Sequence, residues 1–235
     1  MKTTVDVVLP FYNPPSGWME SVVERFSALQ KLRSDYDFHL ILVDDGSNLA
    51  LGDVDLRQFF EQKKINASYM CHAENRGKGA ALRSGIAASE AQFTIFTDID
   101  FPYENESVLD ILEALLGGSD IAIGHREQDY YASVPWFRKG MSEWFRFLLK
   151  KVLRFPISDT QCGLKGMNLS GRKVFLQTKI NRFLVDMEFI KRALKSPQIK
   201  LSTVVVRLRS DVTFSKMGGS VILREGINLL RILFI

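Results

Sequence analysis

The chain has 235 residues, 46% hydrophobic and 25% charged, with a formal net charge of +4. That length suits one large domain, and that apolar content excludes a disordered chain. A net positive charge admits anionic partners, such as nucleotide phosphates or a membrane surface, and equally an ordinary basic surface.

Cys71 and Cys162 form neither a disulfide framework nor a metal-ligand spacing, and they fit a reducing compartment. The opening MKTTVDVVLPFYNPP is interrupted by Asp6 and Pro10 and does not read as a secretory signal. No uninterrupted apolar stretch is long enough to span a bilayer. The expected location is cytoplasmic, with peripheral contact at the inner face of the membrane left open.

In chain order, VDVVL predicts a strand and Trp18–Leu32 a helix, then FHLILV a strand and a short helix around Leu56–Lys64. ASYMC, a helix over Gly79–Ser89, QFTIFT, a helix over Ser107–Leu116 and DIAIG complete the first half. Strands that are apolar on both faces and alternate with helices predict an α/β fold with a mostly parallel, doubly wound sheet.

The second half has a different texture. From Trp136 to Arg154, apolar residues at Phe137, Met141, Trp144, Phe145, Leu148, Leu149 and Val152 have helical spacing, among six basic residues and one acid. The loop ISDTQCG leads to a strand around Leu164–Met167, helices near Gly171–Lys179 and Asp186–Leu194, and the strand KLSTVVVRLR. A last amphipathic helix, VILREGINLLRILFI, ends the chain. With no repeat or clear linker, one domain is expected.

Asp-x-Asp occurs three times, at Asp35–Asp37, Asp53–Asp55 and Asp98–Asp100. In doubly wound sheets ligands collect beyond the carboxyl ends of the strands. Asp98 and Asp100 follow FTIFT at such an end, and Asp44 and Asp45 follow LILV. Asp35–Asp37 instead precedes a strand, and Asp53–Asp55 lies in a connection leading to a helix, so both are expected to be solvated. Asp98 and Asp100 are the candidate metal ligands. Hard cations such as Mg²⁺ or Mn²⁺ take carboxylate and diphosphate oxygens.

HAENRGKGAALRSGI follows the third strand, and its Gly77 and Gly79 would allow close backbone approach to a ligand, with Lys78 adding positive charge. Free amides opening the next helix would favour an anion. The Walker spacing is absent. Beside a carboxylate pair, this loop suggests a nucleoside diphosphate held by metal and lysine.

VVLPFYN, LILVDDGS, ENRGKGAALRSGI, the Asp-x-Asp of FTDID, GHRE and DTQCGLKGM follow one another in this order. Together they resemble the family 2 glycosyltransferases of GT-A fold. The likeness is greatest to the branch that charges polyprenyl phosphates, the dolichyl-phosphate glucosyltransferases and mannosyltransferases. It runs from Val5 to about Lys216.

The resemblance implies a single GT-A domain, Rossmann-like and flanked by helices. Residues 1–125 would form the nucleotide-sugar half, 126–220 the acceptor half and 221–235 the terminal helix. Pro10, Tyr12 and Asp44 match nucleoside-binding positions, and Lys78 one near the nucleotide. Asp98 and Asp100 match the metal and diphosphate motif, with Asp100 also counted as catalytic. Arg126 and Arg138 match arginines that grip an acceptor phosphate, and Asp159 in DTQCG is a sugar or acceptor contact or a turn cap. Asp186 matches an acid facing the acceptor, and Ser215 and Lys216 a pair that closes over the donor. Two departures stand out. Pro14 replaces the usual Glu of the first motif. Phe101 and Pro102 follow Asp100 where some relatives offer another polar ligand, so phosphate oxygens and water would complete the metal's shell.

The implied reaction is an inverting, metal-dependent transfer of a sugar, glucose favoured, from a nucleoside diphosphate sugar to a polyprenyl or dolichyl phosphate. A UDP-sugar is the favoured donor and GDP-mannose stays open. A phosphate monoester, with a second pKa of roughly 6, arrives largely ionised, so Asp186 would orient rather than deprotonate it. The alternatives are transfer to a sugar hydroxyl of a glycan, as in surface-polysaccharide synthesis, and a non-catalytic nucleotide- or glycan-binding module. A nucleotidyltransferase lacks its triphosphate loop here, and no nucleic acid is expected. Residues 136–154 and INLLRILFI are expected to pack partly on the sheet and partly against a membrane.

Overall fold

The run of β-formers at the amino terminus builds an interior strand of a sheet. In the computed structural model β1 (Thr3–Phe11) leads to α1 (Trp18–Leu32), β2 (Tyr36–Asp44), α2 (Asp53–Gln62) and β3 (Ala67–Cys71). Then come α3 (Lys78–Ala88), β4 (Phe93–Phe96), α4 (Asn105–Leu116) and β5 (Ile121–Arg126). After residues 127–158 follow β6 (Lys165–Met167), α5 (Leu169–Phe175), α6 (Val185–Leu194) and β7 (Leu201–Val206). The structure describes residues 2–48, 53–126, 159–160, 162–211 and 232, with the backbone alone at 53–55. Arg138, Ser215, Lys216, the segment 136–154 and the terminal helix apart from Ile232 lie outside the described residues.

The seven strands form one sheet in the order β3-β2-β1-β4-β6-β5-β7. The period-2 alternation of β1 sorts its side chains between two cores. Val5, Val7, Leu9 and Phe11 face α1 and α4 with Phe38, Leu40 and Leu42 of β2. Val8 faces the other way, with Ile41, Val43, α3 and α6, and Ile232 is buried in that second core. α1 supplies Trp18, Val22, Phe26 and Leu29, an apolar stripe at helical spacing. The elements expected within the described residues are all present, with ends shifted by a few residues. Asp53 and Asp55, expected in a connection, instead belong to the first turn of α2.

Every neighbouring pair is parallel except those of β6, which runs antiparallel to both β4 and β5. The reversal matters for function. It places the first residue of β6, Lys165, in register with Phe96 at the end of β4 and with Ile123 of β5. DTQCGLK thus begins a strand at the edge where LILV and FTIFT end theirs. A three-residue strand carries no sequence signal of its direction.

Candidate active site

The carboxyl edge of the sheet collects most of the expected residues. Pro10 is buried near the end of β1, and Tyr12, just beyond it, is 48% exposed. Asp44 ends β2 opposite Phe11 in register. Its Oδ1 accepts from the Ser47 amide at 2.8 Å and its Oδ2 from the Tyr69 hydroxyl at 3.2 Å. Asn13 ties the first two loops together: its amide donates to Ser47 Oγ, and its side-chain oxygen accepts from the Asn48 amide.

Asp45 has a role that sequence reasoning left unassigned. Its carboxylate accepts from the Arg76 amide at 3.0 Å, the Gly77 amide at 2.6 Å and the His72 ring at 2.8 Å. It therefore caps the start of α3, where a negative charge is favourable. Two further amides are satisfied within the chain, since Gly79 donates to the Asn181 carbonyl at 2.8 Å and Ala80 to the Gly77 carbonyl at 2.9 Å. Of the helix-start amides expected to hold an anion, those of Gly77, Gly79 and Ala80 are thus occupied by the chain itself. The close approach permitted by the glycines is likewise internal. A Cβ on Gly77, which has φ +101°, would fall 2.3 Å from the Asn181 carbonyl oxygen, and one on Gly79 2.3 Å from that of Ile180.

This packing aims Lys78, the first residue of α3, at the acidic turn after β4. Lys78 Nζ lies 2.5 Å from Asp98 Oδ1. Burial pushes the Asp98 carboxyl up, but the charge and hydrogen bond of Lys78 outweigh it and hold Asp98 below the ordinary carboxylate range. Asp100 goes the other way, pushed up by partial desolvation and then by the charge of Asp98. Desolvation also works against the Lys78 ammonium, but Asp98 and then Asp186 more than compensate and raise its pKa.

At the end of β5, Arg126 pairs with Asp159. Arg126 Nε and Nη2 each lie 2.8 Å from one carboxylate oxygen, and the Arg126 amide adds a third contact at 3.1 Å. Burial works to raise Asp159, but the hydrogen bond and charge of Arg126 hold it below the usual range. Asp186, in the first turn of α6, accepts from Lys165 Nζ at 2.7 Å, and neither side chain is appreciably exposed. Lys165 also donates to the Cys162 carbonyl and lies 5.6 Å from the Phe96 ring centre. The only sequence hint of it was a lysine inside DTQCGLKGM. Cys162 is buried, which pushes its thiol up, in keeping with a packed residue rather than a nucleophile.

Glu188 of α6, fully buried, accepts from the Lys179 and Ile180 amides at 2.8 and 2.7 Å. That fixes the segment on which α3 begins. Lys78, Asp98, Asp100, Arg126, Lys165 and Asp186 are linked electrostatically: Lys78 responds to both Asp98 and Asp186, and Asp98 to Lys165 and Arg126. Lys78, the Asp98/Asp100 pair and the buried Asp186 thus share one edge of the sheet.

The family model for "Glycosyl transferase family 2" matches residues 6–175, most of the chain. The chain belongs to glycosyl transferase family 2. Among curated relatives of this family 2 glycosyltransferase chain, the dolichyl-phosphate beta-glucosyltransferase of Drosophila melanogaster is 29% identical, over 86% of this chain and 66% of the relative. The enzyme of that name from Homo sapiens is 28% identical over 79% of this chain and 61% of its own length. The chain thus spans just under two thirds of the length of these two relatives. Among solved structures, glucosyl-3-phosphoglycerate synthase from Mycobacterium tuberculosis, with Mn²⁺, UDP-glucose and phosphoglyceric acid, superposes with a TM-score of 0.66. It is 18% identical and covers 99% of this chain and 80% of that one. The likeness extends to the fold, and the expected GT-A architecture is the one observed.

Among the described residues no helix is long and apolar enough to cross a membrane. Nor, among them, do three or more His, Cys, Asp or Glu side chains gather to hold a metal. The donor set that is present fits a divalent cation in a narrower sense. Asp98 has 43% of its side chain exposed, and the Asp100 carboxyl is pushed up first by desolvation and then by the charge of Asp98. Such a hard carboxylate pair suits a cation that completes its shell with phosphate oxygens and water.

Proposed function

We propose that this chain transfers glucose from a nucleoside diphosphate sugar, UDP-glucose in preference to GDP-mannose, to a polyprenyl phosphate with inversion. The observation that carries the reading is that Lys78–Asp98 and Lys165–Asp186 lie at one sheet edge, close enough for Lys78 to respond to both acids. The curated relatives named as dolichyl-phosphate beta-glucosyltransferases support the donor sugar and the acceptor class.

On this reading Tyr12 and Asp44 hold the nucleoside, and Lys78, Asp98 and Asp100 face the diphosphate. Mg²⁺ or Mn²⁺ at Asp98 and Asp100 would supply neutralisation of the charge on the departing diphosphate. An acceptor phosphate oxygen forms the new bond to C1 as the C1–O bond to the diphosphate breaks, and the nucleoside diphosphate leaves with the electron pair. Arg126, its guanidinium held by Asp159, contributes positive charge to the acceptor phosphate. Asp186, already one half of an ion pair, orients the reactants rather than removing a proton. The basic, aromatic composition of residues 136–154 supports delivery of a lipid acceptor from an anionic membrane surface.

The test is thermal stabilisation by UDP, GDP and CMP, each with Mn²⁺ and again with EDTA, followed by transfer from the matching nucleotide sugar to polyprenyl phosphate. A nucleotide at one hundred times its Kd should add roughly 2.7 kcal/mol, and only with metal. No shift with any nucleotide, or a shift indifferent to EDTA, would overturn the metal–diphosphate reading. Transfer to a sugar hydroxyl but not to polyprenyl phosphate would overturn the acceptor.

A further inference from the structure

The backbone of the acidic turn, not just its carboxylates, is held by a specific side chain. The Phe101 amide donates to the Asp98 carbonyl at 3.0 Å, closing a tight turn. Phe101 has φ +44° although it is not glycine, and its side chain is buried. Such a left-handed residue persists only where its surroundings over-determine it.

Arg209, just past β7, supplies much of that determination. Its Nη1 donates to the Asp100 carbonyl at 2.9 Å and to the Phe101 carbonyl at 2.7 Å. Its own amide donates to the Pro102 carbonyl at 3.0 Å, so three consecutive carbonyls of the turn end on one residue. Nε and Nη2 are anchored on Asp211 at 2.9 and 2.6 Å, and Asp211 lies 3.7 Å from Arg25 of α1. The adjoining chain is stitched the same way. The Glu104 amide donates to the Arg207 carbonyl at 3.0 Å, and Tyr103 bridges Leu208. With only 12% of its side chain exposed, Arg209 is committed to these contacts.

We infer that Arg209 is a positioning residue for Asp100. It fixes the turn in the one conformation that sets the Asp100 carboxylate beside Asp98, and so governs affinity for a divalent cation and for the donor's diphosphate. The inference rests on the proposed metal–diphosphate role of Asp98 and Asp100. Arg209 touches neither carboxylate and acts through the backbone between them. Lysine can replace it only in part, because one ammonium cannot span two carbonyls and a carboxylate in the guanidinium's planar geometry.

The experiment uses the full chain. Free Mn²⁺ is titrated by electron paramagnetic resonance in wild type, Asp98→Asn, Arg209→Gln and Arg209→Lys, without nucleotide and with UDP. KM and kcat for the nucleotide sugar and the melting temperature accompany each. The expected result is a Kd for Mn²⁺ about tenfold weaker in Arg209→Gln, equivalent to about 1.4 kcal/mol. Arg209→Lys should fall between, with a raised donor KM in both. Wild-type Mn²⁺ affinity in both Arg209 variants, with Asp98→Asn impaired, would overturn the positioning role and leave the metal reading intact. No Mn²⁺ binding by wild type, with or without UDP, would overturn both. Should Arg209→Gln not fold, Asp211→Asn, which removes the guanidinium's anchor, carries the test. About threefold weaker Mn²⁺ binding is then expected, and unchanged affinity overturns the inference.

Discussion

The Lys165 ammonium lies 2.7 Å from the Asp186 carboxylate in a place where the lysine is wholly buried and the aspartate nearly so. Removing one partner of such a pair strands the other charge away from water, which typically costs about 3–5 kcal/mol. Lys165→Met should therefore lose about that much stability in urea denaturation. The double variant Lys165→Met with Asp186→Leu should regain most of it, because an apolar pair of similar size needs no desolvation of charge. A double variant as unstable as the single one would mean that Lys165 matters through the Cys162 carbonyl and not through Asp186.

Asp186 also separates the two acceptor chemistries. A sugar hydroxyl needs a base, and losing one costs about 10²- to 10⁴-fold in rate. An ionised phosphate needs none. Asp186→Asn should slow transfer to polyprenyl phosphate only modestly while nearly abolishing transfer to a hydroxyl. Total loss with polyprenyl phosphate, in a protein that melts like wild type, would make Asp186 a base and count against the proposed mechanism.

The sheet was legible because its strands are apolar on both faces and its helices amphipathic, and both patterns are properties of local sequence. The acidic turn was legible for a positional reason: Asp98 follows a strand end, whereas the exposed Asp35 and Asp37 sit at the start of one, Asp37 being the second residue of β2 and not ahead of it as expected. Partnership was not legible. Arg126 was expected to grip an acceptor phosphate and Asp159 to contact sugar or acceptor or cap a turn, and no pairing between them was foreseen, yet they bind each other across the chain. Lys165 reaches the site only because β6 is reversed, and strand direction has no signature in three residues. Asp45 looked like a second strand-end acid, but it caps α3. Long-range hydrogen bonds of this kind depend on topology, and periodicity says nothing about them.

The Arg126–Asp159 pair has a pH signature. Asp159 is held below its ordinary value, so it contributes stability that is fully present above the unfolded carboxyl pKa of about 3.9. That contribution is lost as pH falls through the lower folded value. Asp159→Asn should therefore be less stable than wild type by about 3 kcal/mol near neutrality, with the gap closing below about pH 4. Urea midpoints measured from pH 7 down to pH 3 give the comparison. A gap that stays constant across that range would show that the ion pair adds nothing beyond packing.

Gly163 offers the most local test of the acidic turn. A Cβ there would lie 2.5 Å from Asp98 Oδ2 and 3.3 Å from its Cγ, closer than side-chain carbons normally come. The backbone around it is fixed, because the Gly163 amide donates to the buried Tyr103 hydroxyl at 2.9 Å. The Asp98 carboxylate is the part able to yield. In Gly163→Ala it should swing away from Lys78, weakening Mn²⁺ and donor binding while the fold survives. Since the displaced group is a partly exposed side chain and not core, the stability change should stay within about 1 kcal/mol. The expected pattern is thus a raised donor KM and weaker Mn²⁺ binding, with a nearly unchanged melting temperature. Should Gly163→Ala bind Mn²⁺ and donor like wild type, the Lys78–Asp98 geometry would not be what sets their affinity.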